Sequence, residues 1–590
     1  MNVSHITPQI LQQSNLNNEI KKSVPNFTGA AETLATGATL VLRFLDTNQA
    51  IGANSVDLCS MVIPRTTYDF HKRGADAGIE TARRESMGTI NHSLVGVYGT
   101  LGGMLVATML NRKYANANLR ADKLFADNIT TDILARYRQD ALRNIPSGEA
   151  DSVRYYLKNI LDNVKVYNPS DKTAVDGWVS IPDKEKALVI DKLEDLLKNG
   201  KKDRIDKESL TYIKNLIISS TGGEKNVKLE FFKDGKVDKK ACNTLTTFIE
   251  NLHNVSKVFL KKDIENVFNS SVDVDSNSFV KALKSMNLKR SIIGLGIATA
   301  IGMSTQPINK YLTYKKTGQT GFVGVEGREE DHSANFKVLK LAAAAVFALG
   351  ALSTITTRPS EFLSKIQFKG MLPTMDQLKL VYGMTIASRL VAARDKDELR
   401  ESAVKDSLGF LNLLVLGALV SKGSAKLLDK SKSLINIKEG DGKNFWSWLK
   451  NSTLKSRDEV LLSELRAHGK DVIKDGRALT FKELMKLVKT LPVDVQKSLK
   501  GKLNVLNISQ VIGYLYSGLV LGLGVPALNA HMTAKSDAKF KAKAAAKKQA
   551  ELATAGQNIP AASNSVSMQN FTSLSPLLAA ENKAFIEKHM

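Results

Sequence analysis

Charged residues interrupt otherwise apolar segments of this sequence, and four of them are candidates for carrying ions or protons. They are Arg43, Asp57, Asp376 and Arg389. A charge inside a bilayer is costly unless it is paired or faces protein, so such residues often mark ion or substrate pathways. If the protein transports a solute, these are the residues to test. Asp376 and Lys379 are three residues apart and can form an ion pair on one helix.

Other site chemistries find little support. The eight histidines are scattered and Cys-x-x-Cys is absent, which argues against zinc. Asp273, Asp275 and Asn277 begin a calcium-like loop, but Lys284 stands where the chelating Glu belongs, and a second such loop from Asp471 fails similarly. There is no phosphate-binding loop and no nucleophile elbow. We predict no metal, no cofactor and no catalytic residue; enzyme activity stays open but is not favoured, since distant residues can assemble a site.

Five apolar stretches flank these charges and must position them. None contains Asp, Glu, Lys or Arg: Ser93–Leu110, Ser291–Asn309, Leu341–Thr357, Ser407–Ser421 and Leu503–Ala534. A helix of about 18 or more such residues is long enough to cross a bilayer. The predicted fold class is therefore all-α, a polytopic helical membrane bundle.

Small residues recur every four positions in three of these stretches. This spacing places them on one helix face, where neighbouring backbones can approach closely in lipid. The predicted packing residues are Gly99, Gly103 and Ala107, then Gly294, Ala298 and Gly302, and finally Gly518 and Gly522.

Two further segments are apolar but carry charges. Thr33–Ile63 is expected to form helices at the membrane interface or at the bundle edge. Met371–Ala393 is expected to be a tilted or interfacial helix, or equally a sixth span.

Polar segments separate the apolar stretches. Asn111–Arg290 shows helix signals such as Pro182 at a start and Gly200 at an end, and Lys422–Lys502 contains the capping box Thr480–Glu483. Both are predicted to be soluble helical insertions. The chain then divides into a flexible leader (1–32), membrane-associated helices with the first span (33–110), a polar insertion (111–290), membrane helices (291–421), a second insertion (422–502), a last membrane helix (503–534) and a basic, then disordered tail (535–590).

The net charge of +24 indicates an anionic partner. Basic and acidic residues alternate in the body of the chain and aromatic residues do not interleave with basic runs, so membrane lipids are favoured over nucleic acid. Candidate headgroup anchors lie beside the apolar stretches and in the tail: Arg83, Arg84, Lys315, Lys316, Lys535, Lys539, Lys541 and Lys543. The small-residue helix faces also allow a protein partner or self-association.

The charged junctions next to the spans carry a resemblance. The segments VIPRTTYDFHKRGADAGIETARRES, QPINKYLTYKKTGQTGFVG and ARDKDELRESAVKDSLGFLNLLVLG, together with PNFTGAAE, resemble an uncharacterised family of helical membrane proteins from gut-dwelling, non-photosynthetic relatives of cyanobacteria. The resemblance covers about half of the chain. It implies a bacterial, membrane-embedded protein and no particular activity.

Orientation follows from the tail. Six lysines oppose one aspartate between Lys535 and Lys548, which predicts a cytoplasmic C-terminus. Together with the resemblance, this implies a multi-pass protein of the bacterial cell membrane. We prefer six crossings, with Met371–Ala393 counted as a span, which gives a cytoplasmic N-terminus and both insertions outside. Five crossings would place the N-terminus outside. Cys59 and Cys242 are expected to be free thiols.

Two classes of function remain after these exclusions. The favoured one is a structural or interaction protein that presents its insertions to envelope partners or lipids. The alternative is a transporter or channel component, and a membrane-associated enzyme is less favoured still. A cavity lined by the four charges would support transport, and a solid bundle would support the first function.

Overall fold

The computed structural model describes residues 37–45, 49–113, 124–145, 151–261, 264, 268, 273–325, 328–438 and 444–557. The protein is mostly helical, with 73% helix and a few short strands, in agreement with the sequence. It has two compact units, residues 1–529 and residues 530–590.

The elements follow one another as a run of helices interrupted by two polar regions. After a helical segment at residues 37–45, the first half contains α1 Gln49–Val56, a π-helical segment Asp57–Val62, α2 Ile63–Arg73, α3 Ala75–Ser93, α4 Val95–Lys113, α5 Asn128–Asn144, α6 Asp151–Asp162, β1 Val164–Tyr167, β2 Trp178–Ser180, α7 Asp183–Lys198, α8 Lys207–Thr221, β3 Val227–Lys233, β4 Lys236–Asn243 and α9 Leu245–Phe259. The second half contains α10 Ser278–Thr317, α11 Ala334–Ser353, α12 Pro359–Lys365, α13 Met375–Val391, α14 Lys396–Leu411, a π-helical segment Asn412–Leu416, α15 Gly417–Leu428, β5 Ile435–Asn436, α16 Phe445–Asn451, β6 Thr453–Leu454, α17 Arg457–Ala467, β7 Ile473–Lys474, β8 Arg477–Ala478, α18 Phe481–Val488, α19 Val493–Tyr516, a π-helical segment Ser517–Gly524 and α20 Val525–Gln557.

Four helical regions are long and apolar enough to cross a membrane by length and composition. Among the described residues they are Ser278–Thr317, Ala334–Ser353, Lys396–Leu428 and Val493–Glu551. The apolar part of α4, Val95–Thr108, is shorter. α13, the predicted sixth element, packs between α10 and α11, and its Val381, Ile386 and Leu390 side chains are buried inside the protein.

The two insertions share one hydrophobic core. Leu193, Ile217 and Phe248 from the first insertion belong to the same buried cluster as Leu461 and Leu465 from the second. We call residues 124–286 and 434–506 together the composite domain. The sequence predicts two helical insertions but does not reveal that they pack as one body.

The composite domain also contains an antiparallel sheet that the sequence analysis did not predict. Its strand order is β2-β1-β3-β4, and Val164 pairs with Leu229 at its centre. The first insertion is therefore mixed rather than purely helical. Three short turns lie next to β-strands of the domain. Each is an Asp-Gly pair with positive φ at both residues: Asp176-Gly177, Asp234-Gly235 and Asp475-Gly476. Asp-Gly is a strong signal for a tight hairpin turn, because both central positions of that turn need positive φ.

The bundle helices run between two ends of the first unit. At the domain end, Arg43 pairs with Asp458, and the Asn507 side-chain amide donates to the Thr39 hydroxyl. At the opposite end, the Asn529 side-chain amide donates to the Glu401 carbonyl. Within the described residues the chain passes between the ends in seven legs: residues 37–73, α3 with α4, α10, α11, α13, α14 with α15, and α19 to Asn529.

The second unit begins with the basic part of α20. Lys535, Lys539, Lys541 and Lys543 are exposed on this helix, and Lys541 pairs with Asp537 one turn earlier. The disordered tail that the sequence predicts lies mostly outside the described residues, as does the leader.

Candidate functional site

The end of the bundle away from the composite domain is built from buried charges, and we call it the charged end. Glu85 is at its centre. Its carboxylate lies 2.9 Å from Lys405 Nζ, 3.2 Å from Arg84 Nε, 3.5 Å from Arg389 Nη1 and 3.7 Å from Arg65 Nη1. All five side chains are buried. Buried charges of this kind are costly to separate, because each loses its compensation when a partner leaves.

A second group of pairs lies around this centre. Arg394 pairs with Glu80 and Glu398, and its Nη1 donates to the Gly321 carbonyl at 2.8 Å. Arg73 forms a two-pronged pair with Glu401 at 2.5 and 2.9 Å. The charged junctions at 71–86 and 394–406, which are far apart in the sequence, thus neutralise each other, and the 318–325 loop covers them.

The four charges considered for transport do not form one pathway. Arg43 makes a two-pronged pair with Asp458 of the composite domain, and Asp376 pairs with Lys379 at 2.8 Å as its spacing predicts. Arg389 is held by Asp406 at 3.1 Å and by Glu85. Asp57 accepts a hydrogen bond from the Thr89 hydroxyl and lines a cavity.

This cavity has a volume of about 500 Å³ and lies where the bundle meets the composite domain. Most of its wall is apolar and includes Val56, Met61, Leu378, Leu413 and Leu506. Polar groups line the rest. Asp57, His92 and Tyr382 are among them, and four basic side chains also line the cavity.

We call Lys225, Lys422, Lys455 and Arg457 the basic wall of the cavity. The Lys422 ammonium donates to the Leu449 and Ser452 carbonyls, and the Lys225 ammonium donates to the Leu454 carbonyl. Both ammonium groups therefore lie against the short segment that also carries Lys455. Burial lowers the pKa of Lys455.

Two buried carboxyls lie behind the basic wall. The Glu459 carboxylate accepts from the backbone N–H of Glu224 at 2.7 Å and from that of Ser456 at 2.6 Å. Burial, with a contribution from neighbouring Glu224, raises the pKa of Glu459 to about 7. Burial also acts against ionisation of Glu224, but its pair with Lys214 at 2.6 Å lowers the pKa of Glu224.

Each π-helical segment in the described part of the chain borders the cavity. These segments contribute Asp57 and Met61, Asn412 and Leu413, and Ser517. Ser517–Gly524 contacts both of the others: the Asn412 amide donates to the Ser517 hydroxyl at 3.3 Å, and Gly522 lies against the Ser60 carbonyl. A π-helical turn inserts an extra residue into a helix and is frequently found at functional sites. No feature of the sequence signalled these turns.

The predicted packing residues lie at helix–helix contacts of the bundle. A Cβ added at Gly294 would lie 2.7 Å from the Gly99 Cα, so α4 and α10 approach through these two glycines. A Cβ at Gly103 would meet the Arg290 side chain, and one at Gly302 would meet Thr385. Ala107 and Ala298 are buried. In the last leg, a Cβ at Gly522 would lie 2.3 Å from the Ser60 carbonyl oxygen, whereas Gly518 leaves an ordinary distance to the same residue.

The predicted headgroup anchors divide between surface and interior. Lys315 and Lys316 are exposed, and Lys316 pairs with Asp76. Arg83 is half-buried and donates to the Thr313 hydroxyl at 2.8 Å. Arg84 is only 7% exposed and contacts Glu85 inside the charged end. This corrects the prediction for Arg84, because its partners are protein groups.

The two calcium-like loops serve as local structure. Asp273 and Asp275 lie 3.8 and 2.5 Å from the Arg136 guanidinium, and the Asn277 side chain caps α10. Asp475 occupies a hairpin turn. Within the described ranges, no three His, Cys, Asp or Glu side chains come together as a set that could hold a metal ion.

Comparison of the chain with protein-family models, with curated proteins and with solved structures finds no match.

Proposed function

We propose that this is an integral membrane protein of the structural or interaction type, whose helical bundle lies in the bilayer and presents the composite domain to envelope partners or lipids. The observation that carries the proposal is the apolar surface of the bundle helices. On α11, Val338, Val346 and Leu349 are 65%, 73% and 68% exposed, and on α4 Leu105 is 64% exposed. Water-exposed apolar patches of this kind are rare in soluble proteins, and lipid would cover them.

Exposed aromatic residues at both ends of the bundle support the same placement. Phe445 and Trp446 of α16 are exposed at the domain end, where Lys422 contacts the same helix. Tyr311 and Tyr314 are exposed near the C-terminal end of α10, next to the charged end. Aromatic residues concentrate at the two membrane–water interfaces, so these positions would mark the two faces of the bilayer.

The shared core supports a particular topology. Residues that pack into one hydrophobic core must lie on one side of the membrane, so the chain must cross an even number of times between the two insertions. α10, α11, α13 and the α14–α15 leg would supply four crossings, which agrees with counting Met371–Ala393 as a span. With the basic tail in the cytoplasm, the composite domain would face outward.

The location of the N-terminus differs between this topology and the one predicted from the sequence. The six-span prediction places it in the cytoplasm. Arg43 and Thr39, however, contact the composite domain, so the first leg would add a crossing and start on the same outer face. Asp57 and Arg65 on this leg have partners inside the protein, which lowers the cost of burying them.

Transport is the second candidate, and one observation favours it: Asp57 lines the cavity. The other three candidate charges weaken it, because Arg43 and Asp376 are paired elsewhere and Arg389 is enclosed by ion pairs. The resemblance to a membrane-protein family agrees with the favoured proposal and stays a prediction.

Membrane fractionation with an alkaline carbonate wash tests the proposal. We expect the full-length protein to remain in the membrane pellet with an integral marker, while a peripheral marker is released. Crosslinking in intact cells should then capture partners through the composite domain. Release of the protein into the wash supernatant would overturn the proposal.

A further inference from the structure

The cavity between the bundle and the composite domain combines a long apolar wall with a cluster of cations. We propose that it binds one single-chain anionic amphiphile, with the carboxylate or phosphate at the basic wall and the acyl chain along the apolar wall. This inference rests on the proposed function for the source of the ligand, because a protein in a bilayer meets such molecules continuously. The size agrees, since pockets of about 300–1,000 Å³ hold one small-molecule ligand.

Lys455 is the residue that most directly indicates an anionic ligand. Its ammonium group has no hydrogen-bond acceptor and no ion-pair partner among the described residues, although its backbone N–H donates to the Leu434 carbonyl. Lys422 uses two of its three donors on backbone carbonyls and has no carboxylate partner in the described chain. Lys455 interacts electrostatically with Glu459, Asp429 and Glu464, none of them at ion-pair distance, so an anion near both lysines would supply a direct partner.

Three buried polar atoms around the cavity also have no partner in the described part of the chain. They are His92 Nε2, Asn412 Oδ1 and Ser452 Oγ, on residues that are 5%, 7% and 1% exposed. Leaving a buried polar atom unpaired costs about 1–3 kcal/mol, so native proteins rarely do so without a reason. All three residues line the cavity, and a ligand or the water that accompanies it would satisfy them.

The apolar part of the cavity wall would accommodate the acyl chain of the ligand. Leu413, Leu506 and Leu378 come from three different legs, and Gly409, Gly417 and Gly513 also line the cavity. The cations of the basic wall would attract the head group, which would therefore point towards Lys455. The three π-helical segments contribute residues to the cavity lining, so their extra residues would all help to form the binding site.

Native mass spectrometry of the full-length protein released from detergent tests the inference. The ligands are palmitate, lysophosphatidic acid and hexadecanol, which share a long chain and differ in the head group. We expect one bound palmitate or lysophosphatidic acid and at least tenfold weaker binding of hexadecanol. The preferred anion distinguishes a free fatty acid from a phospholipid product.

Three variants separate recognition from folding. Lys455→Met should weaken binding of both anions about tenfold, the loss of one charge-assisted hydrogen bond, and leave hexadecanol unchanged. Lys497→Met is the matched control, because this lysine is exposed and does not line the cavity, and it should change nothing. Ala418→Phe fills the cavity and should abolish binding of all three ligands.

Equal binding of hexadecanol and palmitate, or equal palmitate binding by Lys455→Met and Lys497→Met, would overturn the inference. Unchanged binding by Ala418→Phe would do so as well. These results are independent of the carbonate wash. A protein that resists the wash and binds no anion fails only here, and a protein that binds palmitate but is washed off fails only the proposed function.

Discussion

Glu459 holds a carboxyl in a site where ionisation is expensive. Only 3% of the residue is exposed, and Glu224 lies beside it behind the basic wall. With the pKa of Glu459 at about 7, its folded form retains a proton that the unfolded chain, with an ordinary Glu pKa, releases. This group therefore stabilises the fold at low pH, and that contribution is lost as the pH rises from about 4.5 to 7.

Glu459→Gln tests this linkage, because the amide cannot titrate. We expect the stability of the wild type relative to the variant to fall by up to about 3 kcal/mol between pH 5 and pH 8, several degrees in Tm. Thermal unfolding followed by tryptophan fluorescence measures the difference. Glu329→Gln, at an exposed carboxyl, serves as the control and should show no such trend. A wild-type advantage that does not change with pH would contradict the assignment.

At the residue scale, the sequence identified costly charges but not their partners. Local spacing predicts the Asp376–Lys379 pair, and the structure contains it. Spacing also allows Glu401 to pair with Lys405, yet Glu401 binds Arg73 and Lys405 binds Glu85. These partners are hundreds of residues away, and only the tertiary fold brings them close.

At the element scale, the contact between α4 and α10 depends on glycine. Gly294 meets the Gly99 backbone so closely that no side chain fits between the two helices. Gly296 lies two residues further along the same helix and has nothing within 4 Å of an added Cβ. Substitutions at Gly294 and Gly296 therefore separate the effect of helix packing from that of helix propensity.

Gly294→Ala should destabilise the protein by about 1–3 kcal/mol, because the two helices must move apart. Gly296→Ala should be neutral or stabilising by up to about 1 kcal/mol, since alanine is the better helix former. Thermal unfolding of both variants in the same detergent measures the difference. Equal melting temperatures would show that the contact is not close in solution.

The elements that the sequence predicted are those with local signals. The capping box at Thr480–Glu483 begins α18, and α7 begins immediately after Pro182. The four-stranded sheet was missed, although β3 alternates apolar Val227, Leu229 and Phe231 with polar Lys228 and Glu230. The Asp234-Gly235 pair was a second available signal, since it forms the turn between β3 and β4. The π-helical segments have no comparable signal.

At the scale of the whole molecule, the composite domain determines the topology that we propose. Apolar stretches alone allowed five or six crossings. The core shared by the two insertions excludes any arrangement that separates them across a bilayer, a constraint that a hydropathy profile does not contain.

Site-specific cysteine labelling in intact cells tests this topology most directly. Cys242 and Cys59 are both exposed, so Cys59→Ser is the background. Cys242 reports on the first insertion. Lys474→Cys reports on the second insertion and Lys316→Cys on the charged end, each in a variant that also carries Cys242→Ser. We predict that an impermeant maleimide labels the first two positions in intact cells and labels Lys316→Cys only after lysis. Labelling of Cys242 and Lys474→Cys from opposite sides of the membrane would contradict the shared domain and the topology built on it.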